Sequence, residues 1–251
     1  MAFGLIKDDM DIDLFLTPVP LAKADLQGKT VVVIDVLRFC TTACAALAAG
    51  ARAVIPTDGP GEAGEMRMKL GADMAVVAGE RNGVKLESFD FGNSPAEFTK
   101  ATVGGKHVVM TTTNGTGIFT RAGMAGPVLA GAIVNASKVA ERVAREGKDA
   151  VIVCSGIEGG FSIEDTICGG LLIHQLATTH SVATTLNDAG SLALLLFRSN
   201  KTALKQTIEQ GEHGRFLTSI GFGGDVETAS AIDSMPVLPV LKDGRLVLEE
   251  S

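Results

Sequence analysis

Short apolar runs rich in β-branched residues alternate with alanine-rich stretches along most of the chain. The run at 30–35 (TVVVID) precedes a helical pattern at 41–49, and the run at 150–154 precedes another at 164–177. Strands that read as continuous apolar runs are buried on both faces, which is typical of parallel sheets. The pattern therefore predicts an α/β fold, with a layered, mostly parallel sheet and helices on both of its faces.

The same pattern predicts where the individual elements lie. Predicted strands cover 30–35, 53–56, 74–78, 107–110, 128–130 and 150–154, and predicted helices cover 41–49, 61–70, 117–125, 137–146 and 164–177. Residues 182–232 have a helical pattern with a break near 211–214, and 237–241 with 245–248 predict a hairpin around Asp243-Gly244. No linker rich in Pro, Gly or Ser interrupts the chain. We therefore expect one domain over 1–251, which can consist of two closely packed lobes.

Composition narrows the classes of partner. The chain has 251 residues, a net charge of −7 and neither Trp nor Tyr. This balance repels nucleic-acid backbones and lacks the best base-stacking side chains, so nucleic-acid binding is not expected. The N-terminus does not resemble a signal peptide, and no apolar run approaches the ~18 residues of a membrane span. We therefore expect a cytoplasmic protein without membrane association, in which an anionic substrate needs a metal ion or arginines at its site.

The four cysteines support the same compartment. Cys40, Cys44, Cys154 and Cys168 form no C-x-x-C pair, and each lies among apolar or small residues. This setting predicts buried, reduced thiols that behave as small apolar side chains.

Polar residues collect just after the predicted strands. Ligands of open α/β sheets bind outside the carboxyl ends of the strands, so these residues are the candidates for a site. They are Asp35, Arg38, Glu80, Arg81, Thr111, Thr112, Thr113, Asn114, Asn135, Ser137, Ser155, Glu158, Ser162, Glu164 and Asp165. Helix caps would place some of them there without any function, so each group has a structural alternative.

Asp35 ends the first predicted strand, and Arg38 follows three residues later. One interpretation is a carboxylate that holds a divalent cation, next to an arginine that binds an anion. The alternative is a helix cap or a local ion pair. A covalent aspartyl phosphate is unsupported, because the position two residues after Asp35 is Leu37 rather than a second acid.

Two further segments carry candidate chemistry. Thr111-Thr-Thr-Asn-Gly-Thr116 predicts a strand, a turn and a helix start, whose backbone N–H groups can bind an anion or form only a capped turn. No P-loop or dinucleotide fingerprint occurs. Glu80 is either a metal ligand or base, or a member of a surface ion pair, and it precedes a long irregular segment that contains Asn93.

The stretch from Ser155 to Asp165 is the richest in polar residues. Ser162 and Asp165 have the spacing of a capping box, which leaves Glu158 and Glu164 unexplained. No G-x-S-x-G elbow is present, which argues against acyl transfer. Among the histidines only His213 lies in a polar break before a helix, where it can act as a general acid or an anion donor.

These motifs, in this order, resemble those of the 2-phosphosulfolactate phosphatase family. The matching segments are Val33-Ile-Asp-Val-Leu-Arg38, Ala78-Gly-Glu-Arg81, Phe89-Asp-Phe-Gly-Asn-Ser-Pro95, Thr111-Thr-Thr-Asn-Gly-Thr116, Asn135-Ala-Ser137, Glu158-Gly-Gly-Phe-Ser-Ile-Glu-Asp165 and His213-Gly214. The resemblance extends from about Asp13 to Pro239. It implies the α/β fold of that family and a Mg²⁺-dependent acid phosphatase that converts 2-phospho-3-sulfolactate to 3-sulfolactate and phosphate in coenzyme M biosynthesis. One departure is Gly117, where the family usually has Arg.

The expected site combines these residues. Asp35 with Glu164 or Asp165 would bind Mg²⁺, and His213 or Glu80 would protonate the leaving alkoxide. Expected substrate-binding residues are Arg38, Arg81, Asn93, Thr112, Thr113, Asn114, Gly115, Asn135, Ser155, Glu158 and Ser162. The expected partners are a small anionic phosphorylated substrate and a second copy of the chain in a homodimer.

Three alternatives remain open at this point. The first is a phosphatase of another phosphorylated hydroxy acid, which Gly117 makes plausible. The second is a non-catalytic protein that binds anions. The third is a purely structural α/β module, which would leave the polar residues without a purpose.

Overall fold

The computed structural model describes residues 9–19, 22–113, 116–122 and 126–249. The first half of the chain contains β1 (Met10–Phe15), α1 (Lys23–Leu26), β2 (Thr30–Ile34), α2 (Phe39–Ala48), β3 (Ala53–Pro56), α3 (Pro60–Leu70), β4 (Ala75–Arg81), β5 (Val84–Lys85), a 3₁₀ turn at Pro95–Glu97, α4 (Lys100–Val103), β6 (His107–Thr111) and α5 (Thr116–Ala122). The second half contains β7 (Val128–Gly131), a 3₁₀ turn at Ile133–Asn135, α6 (Ala136–Glu146), β8 (Ala150–Cys154), α7 (Ile163–Thr178), β9 (Thr184–Leu186), α8 (Asp188–Asn200), α9 (Leu204–Gln210), α10 (Glu212–Ser219), α11 (Gly223–Ala229), β10 (Pro239–Lys242) and β11 (Arg245–Leu248).

The strands form one mixed, mostly parallel sheet in the order β5-β4-β6-β3-β11-β10-β7-β2-β8-β1-β9. This confirms the predicted fold class. Strands β7, β2, β8, β1 and β9 run parallel to one another, and so do β3, β6 and β4. The hairpin β10–β11 lies between these two parallel halves and pairs antiparallel with both. Because three antiparallel steps separate β7 from β3, the two halves run in opposite directions.

The alternation of side chains along β2 explains how the sheet is covered on both faces. Val32 and Ile34 point into one apolar cluster with α6, α7 and α8, whereas Val31 and Val33 point into another with α2 and α5. The second cluster also holds Val108 from β6, in the reversed half of the sheet. A third cluster lies under α3. Helix α2 is thus enclosed by both halves.

The carboxyl ends of strands from both halves meet at one cavity. Six steps of the sheet order separate β4 from β2. Neighbouring strands of a sheet are typically rotated by about 20–25° each, so the strand direction is expected to change by roughly 120–150° over that distance. Residues at the carboxyl ends of β4 and β6 line the same cavity as residues that follow β2 and β8, although a flat sheet would place these strand ends at opposite edges.

Most predicted elements are confirmed, with boundaries shifted by a few residues. The predicted hairpin is present, and Asp243 and Gly244 both have positive φ, as its tight turn requires. Strands β1 and β9 were not predicted, and the helical region 182–232 contains β9 and four separate helices. Positions 123–125 of the predicted helix 117–125 lie outside the described residues.

Two smaller expectations are also addressed by the structure. All four cysteines are buried and unpaired, as predicted. Among the described residues, no helix combines the length and the apolar character needed to cross a lipid bilayer.

Candidate active site

A cavity of about 250 Å³ opens where the carboxyl ends of β2, β4, β6 and β8 meet α10. Its lining contains charged, polar and apolar side chains. The lining residues are Asp35, Leu37, Arg38, Glu80, Asn82, Gly83, Asn93, Thr112, Thr113, Ile157, Glu158, Glu212, His213 and Phe216. Of the predicted site residues, the structure therefore brings Asp35, Arg38, Glu80, Asn93, Thr112, Thr113, Glu158 and His213 together.

Asp35 lies directly after β2 and is only 4% exposed. One carboxylate oxygen accepts a hydrogen bond of 3.1 Å from the backbone N–H of Phe39, so the residue also caps α2. Burial raises the pKa of Asp35 from 3.8 to about 6, against the lowering effects of that hydrogen bond and of His213. Asp35 therefore has the capping role that the structural alternative proposed, and its side chain also lines the cavity.

Asp165 lies behind Asp35 and holds its loop in place. Its oxygens accept hydrogen bonds from the Val36 N–H (2.8 Å), the Ser155 hydroxyl (2.9 Å) and the Gly156 N–H (3.0 Å). Burial and then the neighbouring Asp35 carboxylate raise the pKa of Asp165 to about 8. Through these bonds Asp165 holds the backbones of Val36 and Gly156, and it is not among the residues that line the cavity; metal binding by Asp165 stays a prediction.

Glu164 and His213 form a buried pair beside Asp35. The Nδ1 atom of His213 lies 3.2 Å from Glu164 Oε1, and the two side chains are 15% and 2% exposed. Burial lowers the pKa of His213, but the hydrogen bond to Glu164 and the nearby carboxylates more than offset it, so the pKa lies above 6.5. The Oε2 atom of Glu164 is buried and has no hydrogen-bond partner among the described residues.

Arg38 also lines the cavity. Its Nη1 donates to Asp225 Oδ2 at 2.8 Å, its Nη2 donates to the Gly83 carbonyl at 2.9 Å, and its guanidinium lies 4.5 Å from the centre of the Phe222 ring. The local ion pair with Asp35 that the sequence allowed is absent; the partner is a residue 187 positions away.

Glu80 connects two loops of the cavity wall. Its carboxylate accepts hydrogen bonds from the Gly83 N–H and from both the N–H and the hydroxyl of Thr113. Gly83 has φ near +74°, a backbone conformation that favours glycine. The surface ion pair considered for Glu80 is wrong, because this buried carboxylate positions the Thr113 and Gly83 backbones.

Four predicted substrate-binding residues do not line the cavity. Asn135 is fully buried and bonds Ala132, Ala130 and Val237, which ties its turn to the C-terminal region. Ser162 caps α7 and Ser155 donates to Asp165. The Arg81 guanidinium donates to the backbone carbonyl of Glu80. In each case the side chain forms hydrogen bonds to backbone or buried groups. Residues with this structural role occur just after strands, at the same kind of sequence position as residues that bind a ligand. Asn114 and Gly115 lie outside the described residues.

Several residues of the site were not found from the sequence. Asp225, Glu212 and Phe216 follow no predicted strand, whereas Asn82 comes directly after Arg81 and was not singled out. The only local signal at Asp225 is the glycine-rich break Gly221-Phe-Gly-Gly-Asp225, which by itself indicates a helix start. The positions of Glu212, Phe216 and Asp225 near the cavity depend on how α10 and α11 pack.

The charges that line the cavity set what it can bind. Asp35, Glu80, Glu158 and Glu212 are acidic, whereas Arg38 and His213 are the basic lining residues among those described. Within the described ranges, no group of three or more His, Cys, Asp or Glu side chains is arranged to hold a metal ion by itself. Mg²⁺ commonly takes only one or two carboxylates and completes its shell with water and substrate oxygens, so this arrangement suits an ion that binds together with an anion.

A model of the 2-phosphosulpholactate phosphatase family matches residues 15–244 of the chain. The chain belongs to this family. It is 36% identical over 220 residues to a probable 2-phosphosulfolactate phosphatase of Caldanaerobacter subterraneus subsp. tengcongensis, covering 88% of this chain and 90% of that protein. Proteins with the same name from Symbiobacterium thermophilum and Carboxydothermus hydrogenoformans are each 37% identical, with 90% and 96% of this chain covered and 97% and 98% of theirs.

Family membership makes the chain a phosphoric monoester hydrolase. Gly117 is the position at which the resemblance led us to expect an arginine. Gly117 lies in α5, and a Cβ there would be 3.9 Å from Asp58 Oδ1. Neither residue is among the described residues that line the cavity.

Proposed function

We propose that the protein hydrolyses 2-phospho-3-sulfolactate to 3-sulfolactate and phosphate with Mg²⁺, the reaction type of coenzyme M biosynthesis. The observation that carries the proposal is the convergence of Asp35 and Arg38 on one cavity, a carboxylate and a guanidinium from a single strand-to-helix connection. The names of the similar proteins support the substrate. The volume of about 250 Å³ suits a three-carbon acid better than a larger ligand, since sites for drug-sized molecules occupy about 300–1,000 Å³.

The residues present fit Mg²⁺. Asp35 lines the cavity, and the buried Oε2 atom of Glu164 has no donor within the described part of the chain. Two buried carboxylates without a full set of partners are costly unless a cation compensates them. We assign Asp35 as the principal carboxylate for the ion and Glu164 as the second. Bound Mg²⁺ would supply positive charge and Lewis-acid polarisation at the phosphoryl oxygens.

The protein's own groups bind the substrate and move the proton. Arg38 binds an anionic group of the substrate through its N–H groups. His213 donates a proton to the leaving alkoxide from Nε2, because Nδ1 is directed at Glu164. The raised pKa of His213 keeps more of the imidazolium form near neutral pH. Glu80 holds Thr113 and Gly83 at the wall, so we assign the acid role to His213 rather than to Glu80.

The test measures phosphate release from a panel of phosphorylated hydroxy acids, with and without EDTA. We expect 2-phospho-3-sulfolactate to give the highest kcat/KM, EDTA to abolish turnover and added Mg²⁺ to restore it. Higher kcat/KM for another phosphorylated hydroxy acid contradicts the substrate assignment. Full activity in EDTA contradicts the role of the metal. Thermal stabilisation by these compounds without phosphate release identifies a binding protein instead.

A further inference from the structure

The Arg38 side chain is held on three sides by residues that are far apart in the sequence. Asp225 on α11 binds one terminal nitrogen, the carbonyl of Gly83 in the β4–β5 turn binds the other, and the Phe222 ring covers one face. The guanidinium has five N–H donors, and these two bonds use two of them. Because Arg38 also lines the cavity, its remaining N–H groups can face a ligand there.

Asp225 is itself held in a fixed orientation. Its second oxygen accepts a hydrogen bond of 2.6 Å from the hydroxyl of Ser94, which lies next to the cavity-lining Asn93. The Arg38 and Asp225 side chains are 3% and 6% exposed. The network therefore fixes Arg38 by directional bonds in a site largely closed to water.

Stability alone does not account for this arrangement. Buried ion pairs gain little over well-packed apolar side chains, because removing two charges from water costs about as much as their attraction returns. A pair that faces a cavity has a second use, since an arginine held in one rotamer loses less entropy when it binds an anion.

We infer that Asp225 is a positioning residue that, with Ser94, aims the Arg38 guanidinium at a non-reacting anionic group of the substrate. The inference rests on the proposed function for the identity of that group, a carboxylate or a sulfonate. Asp225 does not touch the substrate; it acts through Arg38. Interactions that are equal in the ground state and the transition state change KM and leave kcat largely unaltered.

The first test is Asp225→Asn. We expect KM to rise by about 10-fold or more, with a much smaller change in kcat. A rise of this size corresponds to the loss of one well-aligned charge-assisted hydrogen bond. Asp225→Glu should recover part of the loss because it keeps the carboxylate. Glu227→Gln is the matched control: Glu227 is an exposed acid two residues further along α11, and its removal should leave KM unchanged. An unchanged KM in Asp225→Asn overturns the inference.

The second test asks whether the effect passes through Arg38. In an Arg38→Gln background, Asp225→Asn should have no further effect on KM; an equal rise in both backgrounds overturns the inference. If a variant does not fold, Ser94→Ala replaces it. This variant should raise KM by a smaller factor, and an unchanged KM would overturn the inference.

Titration calorimetry with inorganic phosphate and with 3-sulfolactate separates this inference from the proposed function. If the wild type binds 3-sulfolactate but releases no phosphate from the substrate, the proposed function fails, and a weaker 3-sulfolactate affinity in Asp225→Asn still supports the inference. The same affinity in the wild type and in Asp225→Asn overturns it, whatever the activity.

Discussion

Two clusters of buried charge at the cavity differ in how their charges are paired. The acidic wall consists of the cavity-lining Asp35 and His213 with the adjacent Glu164 and Asp165; it places three carboxylates around one imidazole, and one oxygen of Glu164 has no donor among the described residues. The arginine wall consists of the cavity-lining Arg38 and Gly83 with the adjacent Asp225 and Ser94; it matches a single cation with a single carboxylate and supplies a hydrogen bond to each. The acidic wall therefore has an excess of buried negative charge, whereas the charges of the arginine wall are paired.

This difference indicates two kinds of work. A wall with excess buried negative charge gains from taking up a proton or a cation, and the raised pKa values of Asp35 and Asp165 show that tendency. A wall whose charges are already paired holds a donor group in one geometry. The acidic wall suits the chemical step, and the arginine wall suits recognition.

The largest expected effect is on the acidic wall. Asp35→Asn should lower kcat by about three orders of magnitude, because stabilisation by a metal ion is worth several kcal/mol and about 1.4 kcal/mol corresponds to a factor of ten. Stability should stay the same or rise, since Asn can still cap α2 and a buried charge is removed. Phosphate release and thermal unfolding measure the two effects. Wild-type turnover in this variant removes Asp35 from the mechanism.

Substitutions in the arginine wall should lower stability as well as substrate affinity. Arg38→Ala leaves the buried Asp225 unpaired and should reduce the free energy of unfolding by about 3–5 kcal/mol. The double variant Arg38→Ala/Asp225→Ala should recover part of that loss. Urea unfolding measures both. A loss below about 1 kcal/mol in the single variant would show that water reaches this pair and that the two walls do not differ as described.

The pH dependence of folding isolates the acidic wall. The folded-state pKa values of Asp35 (about 6) and Asp165 (about 8) lie above 3.8, and that of His213 lies above 6.5, so the native state binds more protons than the unfolded state in this range. Stability should therefore fall as the pH rises from about 4 to about 8.

Urea midpoints at about pH 5 and about pH 8.5, without divalent ions, test this sign. Asp165→Asn should flatten the dependence. Steady or rising stability over the interval would contradict the description of the acidic wall.

The smallest effect comes from a matched pair of serines. Ser94 donates to Asp225 and Ser155 donates to Asp165, so each wall contains a buried serine bonded to an aspartate. At neutral pH the first bond reaches an ion-paired carboxylate, worth about 1.5–3 kcal/mol, and the second reaches a largely protonated one, worth about 0.5–1.5 kcal/mol. Ser94→Ala should therefore destabilise more than Ser155→Ala in urea unfolding, and the gap should narrow near pH 9, where Asp165 ionises. Equal losses at neutral pH would count against the contrast.

Sequence reasoning reached the acidic wall more readily than the arginine wall. Asp35, Glu164 and His213 stand at strand ends or helix starts, where local patterns single out polar residues. The same rule also selected Asn135 and Ser162, which do not line the cavity and instead accept hydrogen bonds from backbone N–H groups. Asp225 was missed because its role depends on the packing of α11 against a loop from the other end of the chain.

By itself, the sequence determined most of the segments that become strands and helices and that polar residues gather after the strands, since apolar periodicity and turn residues act over a few neighbouring positions. Only the tertiary structure decided that the C-terminal hairpin enters the middle of the sheet, that one half of the sheet is thereby reversed, and that Arg38 meets Asp225. Those outcomes depend on contacts between distant segments, whose partners are chosen by the burial of whole faces and leave no local pattern.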